Sequence, residues 1–190
     1  AIGAAPRTAE ISANTAEIVT GLKSAGVVSA GDASPKATVS SLAATKATIT
    51  TGATVDSPNA AIVVRAVSAN TATAGAGAVV YGGISVNTSE PQATIAAPTG
   101  AYLLGRVGTA STRGGASLTM QSRSIDTANA LMSSKGGGVA NISTAKATAT
   151  ITSTTETVLG GPSGSRVNIG GDVSLTADSN PAAVSRFSTA

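Results

Sequence analysis

The feature that most constrains this chain is a sequence repeat with a period of 56 residues. One block occurs three times, as SANTA at 12–16, SANTA at 68–72 and SIDTA at 124–128. A second block has the same period, as PKATV at 35–39, PQATI at 91–95 and ATATI at 147–151. Since two separate blocks agree, the chain is predicted to consist of copies of one unit that stack to bury a shared core.

The boundaries of the copies follow from these matches. They are approximately 11–66, 67–122 and 123–179, with a partial copy at 180–190, and together they form a single repeat-built segment over 1–190. Late in the third copy, Leu118 and Met120 align better with Leu175 and Ala177, so we place a one-residue insertion near 166–170. Because the sequence begins and ends inside its own repeat, we expect a mature product or an excerpt of a longer chain.

Composition restricts what these copies can form. The chain has one Phe, two Tyr, two Met and no Trp, and its hydrophobic fraction of 42% is mostly Ala and Val, so its core must be thin. Apolar residues alternate with others at 60–64, 116–120 and 173–177, which predicts short strands closed by Gly or Asn. A mean hydropathy of +0.25 and many β-branched residues favour an ordered chain.

We therefore predict an all-β chain folded as a β-solenoid, that is, a parallel β-helix, built from 56-residue repeats. A unit of this length is expected to supply two or three coils, stacked about 4.8 Å apart. The segment 8–22 is the one place where a helix is conceivable, but its match to 67–78 favours a strand.

The repeat also selects candidate residues, because a position used in every copy should recur at the same offset. These structural repeat positions are Ser12, Asn14, Thr15, Ser68, Asn70, Thr71, Ser124, Asp126, Thr127, and the glycine series Gly26, Gly82, Gly138 and Gly52, Gly108, Gly164. The glycines are expected to have positive φ or to allow close backbone approach. For Asn14, Asn70 and Asp126 a turn or a side-chain ladder is favoured over a ligand site.

Charged residues do not follow the repeat. At the 56-residue offset Arg65 faces Gln121, Asp32 faces Thr88, Glu90 faces Lys146 and Lys46 faces Tyr102, so no charged ligand site is expected to recur. The net charge of +3 comes from Lys and Arg scattered singly, which gives little support for nucleic-acid binding. No stretch is long and apolar enough to predict a membrane span.

Catalytic and metal-binding patterns are sparse. The absence of His and Cys excludes Ser-His-Asp and Cys-His catalysis and the usual zinc sites. Asp172 and Asp178 are the nearest candidates for a carboxylate pair, but six residues apart they are predicted to be solvated. The glycine-rich stretches 136–138 and 160–164 lack the Lys-Ser/Thr ending of a phosphate-binding loop. We predict no enzyme activity, no cofactor and no metal.

Three pieces of the sequence resemble the β-helical repeats of filamentous haemagglutinin-like large exoproteins. They are QATI at 92–95, GAYLLG at 100–105 and GGDVSLTAD at 170–178. The resemblance spans most of the chain and implies a secreted bacterial adhesin with a role in attachment or biofilm formation.

Three functions follow from these observations. The first is an extracellular structural and adhesive segment at the bacterial cell surface, whose partners are neighbouring repeats of a longer chain, other copies, or a surface glycan or cell receptor. The second is a self-assembling subunit of an extracellular filament or surface layer. The third is a carbohydrate-active β-helix enzyme, which would need a cleft with clustered acids and aromatics. Tyr81, Tyr102 and Phe187 are the aromatics that could stack on a sugar or pack in the core.

Overall fold

The chain forms stacked parallel sheets without a helix in the residues that the structure describes. The structure is a computed structural model, and it describes residues 7–137, 140–161 and 165–189. Each coil consists of one long strand followed by three short ones, and every strand pairs in parallel with its counterpart in the next coil. The predicted all-β solenoid is therefore confirmed.

The strand bounds show the same order in each coil. The first coil contains β1 (Arg7–Ala33), β2 (Lys36–Val39), β3 (Thr45–Ile49) and β4 (Thr54–Val55). The second contains β5 (Ala61–Ser89), β6 (Gln92–Ile95), β7 (Thr99–Leu103) and β8 (Arg106–Val107). In the third, β9 (Ser117–Gly137) and β10 (Ala140–Ala145) both pair with β5 and together take the place of the long strand. They are followed by β11 (Thr148–Ile151), β12 (Thr155–Leu159) and β13 (Arg166–Val167), and β14 (Val173–Thr189) comes after this coil.

One repeat makes one coil. Arg7 pairs with Val63 and Ala61 pairs with Ser117, so each long strand lies beside the strand one repeat later. The expectation of two or three coils in each repeat is wrong, because a single long strand of 27 or 29 residues takes up about half of the unit. The segment 8–22 lies within β1 and is a strand, as favoured.

Three short sheets close the coil opposite the long sheet. They are formed by β2, β6 and β11, by β3, β7 and β12, and by β4, β8 and β13. Alternate side chains point inward along these strands, as in β2, where Ala37 and Val39 are buried and their neighbours are exposed. This alternation places Thr and Lys outside and small apolar residues inside.

The long strand extends sideways beyond the closed part of the coil. Ala74 and Ala93 lie in the same apolar cluster, although the chain between them is extended and paired almost throughout. A straight strand of that length would separate them by roughly 60 Å, so the chain must leave the core and return to it. Gly82 lies near the middle of this excursion and pairs in register with Gly26.

The corners between the short strands vary in length from coil to coil. Thr45 pairs with Thr99, Thr54 with Arg106 and Arg106 with Arg166, which are offsets of 54, 52 and 60 residues. The long strands, by contrast, pair at offsets close to the repeat length of 56 residues. Insertions in the corners are tolerated because these turns lie outside the stacked strands.

Two alignments made from the sequence are wrong for this reason. Val173 pairs with Leu118 and Leu175 with Met120, an offset of 55 rather than 57. The third coil instead gains four residues between β12 and β13 and loses five before β14, relative to the second coil. Tyr102 lies beside Thr48, and Lys46 lies beside Gly100, because β7 is displaced by two residues from the 56-residue offset.

The core is divided into two apolar clusters. The first contains Ile62, Val64, Leu103, Leu118 and Met120 and lies between the start of the long sheet and the two sheets of β7 and β8. The second is composed mainly of alanine and lies between the later part of the long sheet and the sheet of β6. The scarcity of aromatics in the sequence matches these thin clusters.

We expect Leu118→Ala to lower the free energy of unfolding by about 2–5 kcal/mol, because it leaves a cavity in the first cluster. Leu118 is fully buried, whereas Leu42 is 93% exposed in a corner, so Leu42→Ala is the matched control and should change stability by less than about 0.5 kcal/mol. Urea unfolding followed by far-ultraviolet circular dichroism measures both. Equal midpoints for the two variants would contradict the assigned core.

Candidate functional site

A polar seam separates the two apolar clusters. On the long sheet it consists of Ser68, Asn70, Ser124 and Asp126, all of which are buried. These residues occupy consecutive inward positions of β5 and β9, and in β5 the inward positions before and after them belong to the two apolar clusters. Hydroxyl groups from the opposite sheet face the seam. Buried polar groups are costly unless they are hydrogen-bonded, so the partners of these residues decide their role.

The repeat positions Asn14, Asn70 and Asp126 form a side-chain ladder through three coils. Asn14 Nδ2 donates a hydrogen bond to Asn70 Oδ1 at 2.7 Å, and Asn70 Nδ2 donates to Asp126 Oδ1 at 2.7 Å. The Ser153 hydroxyl donates to Asp126 Oδ2. In the next strand Pro181 lies beside Asp126 and offers no side-chain donor. The ladder uses both oxygens of the Asp126 carboxylate inside the core.

The serine positions of the repeat cross-link the two sides of the coil. Ser68 Oγ lies 2.5 Å from Thr99 Oγ1, and Ser124 Oγ lies 2.8 Å from Thr155 Oγ1. The same pair of positions is therefore joined in two successive coils. The backbone of Ser12 pairs in register with Ser68.

The threonine positions are on the opposite face. Thr15, Thr71 and Thr127 pair in register on the outer surface of the long sheet, where Thr15 is exposed and the other two are half-buried. The structure therefore separates Thr from the Ser and Asn positions of the same motif, as strand alternation requires.

The glycine series have different roles. Gly26 and Gly82 lie in extended strands, and neither is among the described residues with positive φ. Gly52 has a φ of 84° in the turn between β3 and β4, where Ala53 N donates to Thr50 O. Gly108 has a φ of 73° but follows β8, so it is not the structural counterpart of Gly52. Gly138 and Gly164 lie outside the described residues.

Asp172 and Asp178 do not form a catalytic pair. Asp178 lies on the outer face of β14, and its Oδ2 is 3.5 Å from Arg123 Nε in an exposed ion pair that lacks hydrogen-bond geometry. Asp172 lies in the corner before β14, and its carbonyl accepts a hydrogen bond from Leu118 N of β9. Both side chains are exposed, and nothing in their positions brings two carboxyl groups to one substrate.

Tyr102 covers a glycine on the outer face of β7. Its hydroxyl donates to Glu156 Oε1 at 2.5 Å, and a Cβ at Gly100 would lie 2.4 Å from that hydroxyl oxygen. Desolvation by partial burial, followed by the hydrogen bond and the charge of Glu156, raises the pKa of Tyr102 to about 12. Tyr81 and Phe187, by contrast, are largely exposed.

Two concave surfaces were not identified from the sequence. One is an apolar groove of about 520 Å³ on the outer face of the long sheet, where Gly75 lies between Val19 and Leu131. The other is a polar pocket of about 470 Å³ beside β8 and β13, where Arg106 and Arg166 lie in register. The 56-residue offset hides this arginine pair, because the corner before Arg166 is four residues longer.

No protein-family model, curated protein or solved structure matches this chain. In the described part of the chain, no three acidic side chains converge in a way that could hold a metal ion. Within the same residues, no helix has the length and hydropathy needed to cross a bilayer.

We expect Asn70→Asp to destabilise the fold by about 2–5 kcal/mol at neutral pH, because it places a second buried carboxylate against Asp126. Asn129→Asp, on the outer face of β9, adds the same charge and is the control. Urea midpoints at neutral pH provide the test, and similar losses for the two variants would contradict a stabilising ladder.

We expect the remaining tyrosine of a Tyr81→Phe variant to titrate near pH 12 in phenolate absorbance. Glu156→Gln should lower that midpoint but leave it above about 10, because desolvation is the largest cause of the shift. Since the folded pKa exceeds the unfolded one, the stability contributed by Tyr102 is complete below about pH 10 and is lost as the pH approaches 12. A midpoint near 10 before the Glu156 change would contradict the arrangement.

Proposed function

We propose that this chain is an extracellular structural and adhesive segment that gives reach and surface attachment, or contributes to biofilm or fibre formation. The observation that carries the proposal is the parallel pairing of coil on coil, which continues from β1 through β5 and β9 to β14. Each added coil lengthens such a stack by about 4.8 Å without changing its cross-section. A fold of this kind converts sequence repeats into length.

The distribution of polar groups supports a structural role. The Ser and Asn/Asp positions that recur in the repeat are used inside the core, as in the Asn70 ladder and the Ser68–Thr99 contact. A recurring catalytic or ligand-binding position would instead open to solvent. We therefore propose no enzymatic activity. A carbohydrate-active enzyme would need a cleft with clustered acids and aromatics, and the described residues offer no candidate for one.

The proposal of a secreted bacterial adhesin rests on sequence motifs. The QATI motif forms β6, the GAYLLG motif forms β7 and the corner after it, and the GGDVSLTAD motif leads into β14. The haemagglutinin-like resemblance implies a turn at Ala101-Tyr102 and a strand at Gly170-Gly171, whereas these residues lie in β7 and in the corner before β14, so the resemblance supports the proposal through its sequence motifs alone. The lack of Cys is compatible with export in an unfolded state.

A second candidate, a self-assembling filament subunit, is favoured by the surface of β14. Val173, Leu175 and Phe187 are 45%, 44% and 54% exposed there. Val173 and Leu175 pair with the buried Leu118 and Met120, so they occupy core positions of the stack. Another coil, either from a longer chain or from a second copy, would cover them.

Negative-stain electron microscopy over a range of concentrations tests these two proposals. For a segment of an adhesin we expect short single rods at every concentration, and beads coated with the folded chain should adhere to a cell or glycan surface better than beads coated with the unfolded chain. Long uniform fibres that Leu175→Lys abolishes, but Ser174→Lys does not, would establish the filament subunit instead. Compact particles without bead adhesion would contradict both.

A further inference from the structure

A polar pocket lies at the outer corner formed by β8, β13 and the loop after β8. Its lining consists of Thr54, Arg106, Gly108, Thr109, Ala110, Ser165 and Arg166, and its volume is about 470 Å³. Thr54, Arg106 and Arg166 form one column across three coils, because Thr54 pairs with Arg106 and Arg106 pairs with Arg166. Two exposed arginines therefore project from adjacent coils into one concave surface.

The guanidinium groups of Arg106 and Arg166 have no ion-pair or hydrogen-bond partner among the described residues, where the salt bridge joins Arg123 and Asp178 instead. Adjacent strands are about 4.8 Å apart, so these two like charges repel one another. An anion between them would remove this repulsion.

The loop after β8, which lines the pocket with Thr109 and Ala110, is fixed in place by a set of hydrogen bonds. Asn168 Nδ2 donates to Thr109 O at 2.9 Å and to Thr112 O at 3.1 Å. Thr112 N donates to Thr109 Oγ1 at 3.0 Å, and Gly114 N donates to Asn168 O at 2.8 Å. The loop after β8 is therefore tied to the third coil, and the pocket exists before any ligand arrives.

Gly108 makes this loop geometry accessible. Its φ is 73°, and a Cβ at this position would lie 2.5 Å from Gly114 N. A larger residue would force the loop away from β8. The close turn at Gly108 keeps Thr109 in the same pocket as Arg106 and Arg166.

From this arrangement we propose that Arg106 and Arg166 together bind a single oxyanion, a carboxylate or sulfate group, in the pocket. Guanidinium groups recognise such groups through paired N–H···O bonds. The hydroxyl of Thr54 lines the same space and can donate a further hydrogen bond, whereas Ser165 Oγ already donates to Leu104 O and Thr109 Oγ1 is already bonded to Thr112 Oγ1. The source of the group is either a free inorganic anion or an acidic sugar, and the site goes beyond the structural role proposed above.

The test follows the arginine Nε–Hε signals in NMR spectra during separate titrations with sodium sulfate and sodium glucuronate at constant ionic strength. We expect the Arg106 and Arg166 signals to shift together and saturate, whereas the Arg65 signal, from an exposed arginine on the long sheet, should not. Saturation by sulfate alone indicates a tetrahedral anion. Saturation by glucuronate alone, or by both anions, indicates a carboxylate. Each of these results supports the site.

Substitution separates the site from general charge attraction. Arg106→Gln and Arg166→Gln should each weaken binding about tenfold or more, while Arg65→Gln, which removes the same charge elsewhere, should leave the affinity unchanged. All three residues are exposed, so the variants are expected to keep the circular dichroism spectrum of the parent. Equal shifts at Arg65, or undiminished binding in the double variant Arg106→Gln/Arg166→Gln, would overturn the proposal without affecting the rod-forming function.

Discussion

Backbone hydrogen bonding between coils is the interaction on which the rest of this structure depends. A strand such as β6 has no partner within its own coil, so its N–H and C=O groups are satisfied by β2 on one side and β11 on the other. Unpaired backbone groups in a buried setting are costly. Register between coils is therefore enforced at every strand, and side chains that occupy the same position in successive coils must form columns.

These columns explain how a core with so few large residues can hold a defined arrangement. The apolar clusters are thin, and the inward row of β5 changes from Val64 to Ser68 and Asn70 and back to Ala72. A two-residue slip that set Asn70 beside Ala16 and Ala128 would place its amide among apolar groups without a partner. The polar seam thus penalises the wrong register more strongly than alanine packing could.

Sequence reasoning succeeded where the chain length between paired strands is constant. The long strands carry both the core and the seam, and a one-residue change there would turn every side chain to the other face, so the SANTA blocks keep their spacing. A change of length in a corner does not turn the side chains of a strand to the other face. Arg106 and Arg166 became neighbours through a corner that is four residues longer, and no fixed-period comparison could reveal that pair. The number of coils was also misjudged, because the sideways excursion near Gly82 has no distinct sequence signal.

The pairing of each strand with one a whole coil away also has consequences for the order of folding. The first two coils must close a loop of about one repeat before their strands can pair, which makes that step slow. Every later coil meets an edge that is already formed, so growth proceeds from a template. A chain emerging from a ribosome or a membrane pore in sequence order would present its coils in the order in which this growth can use them.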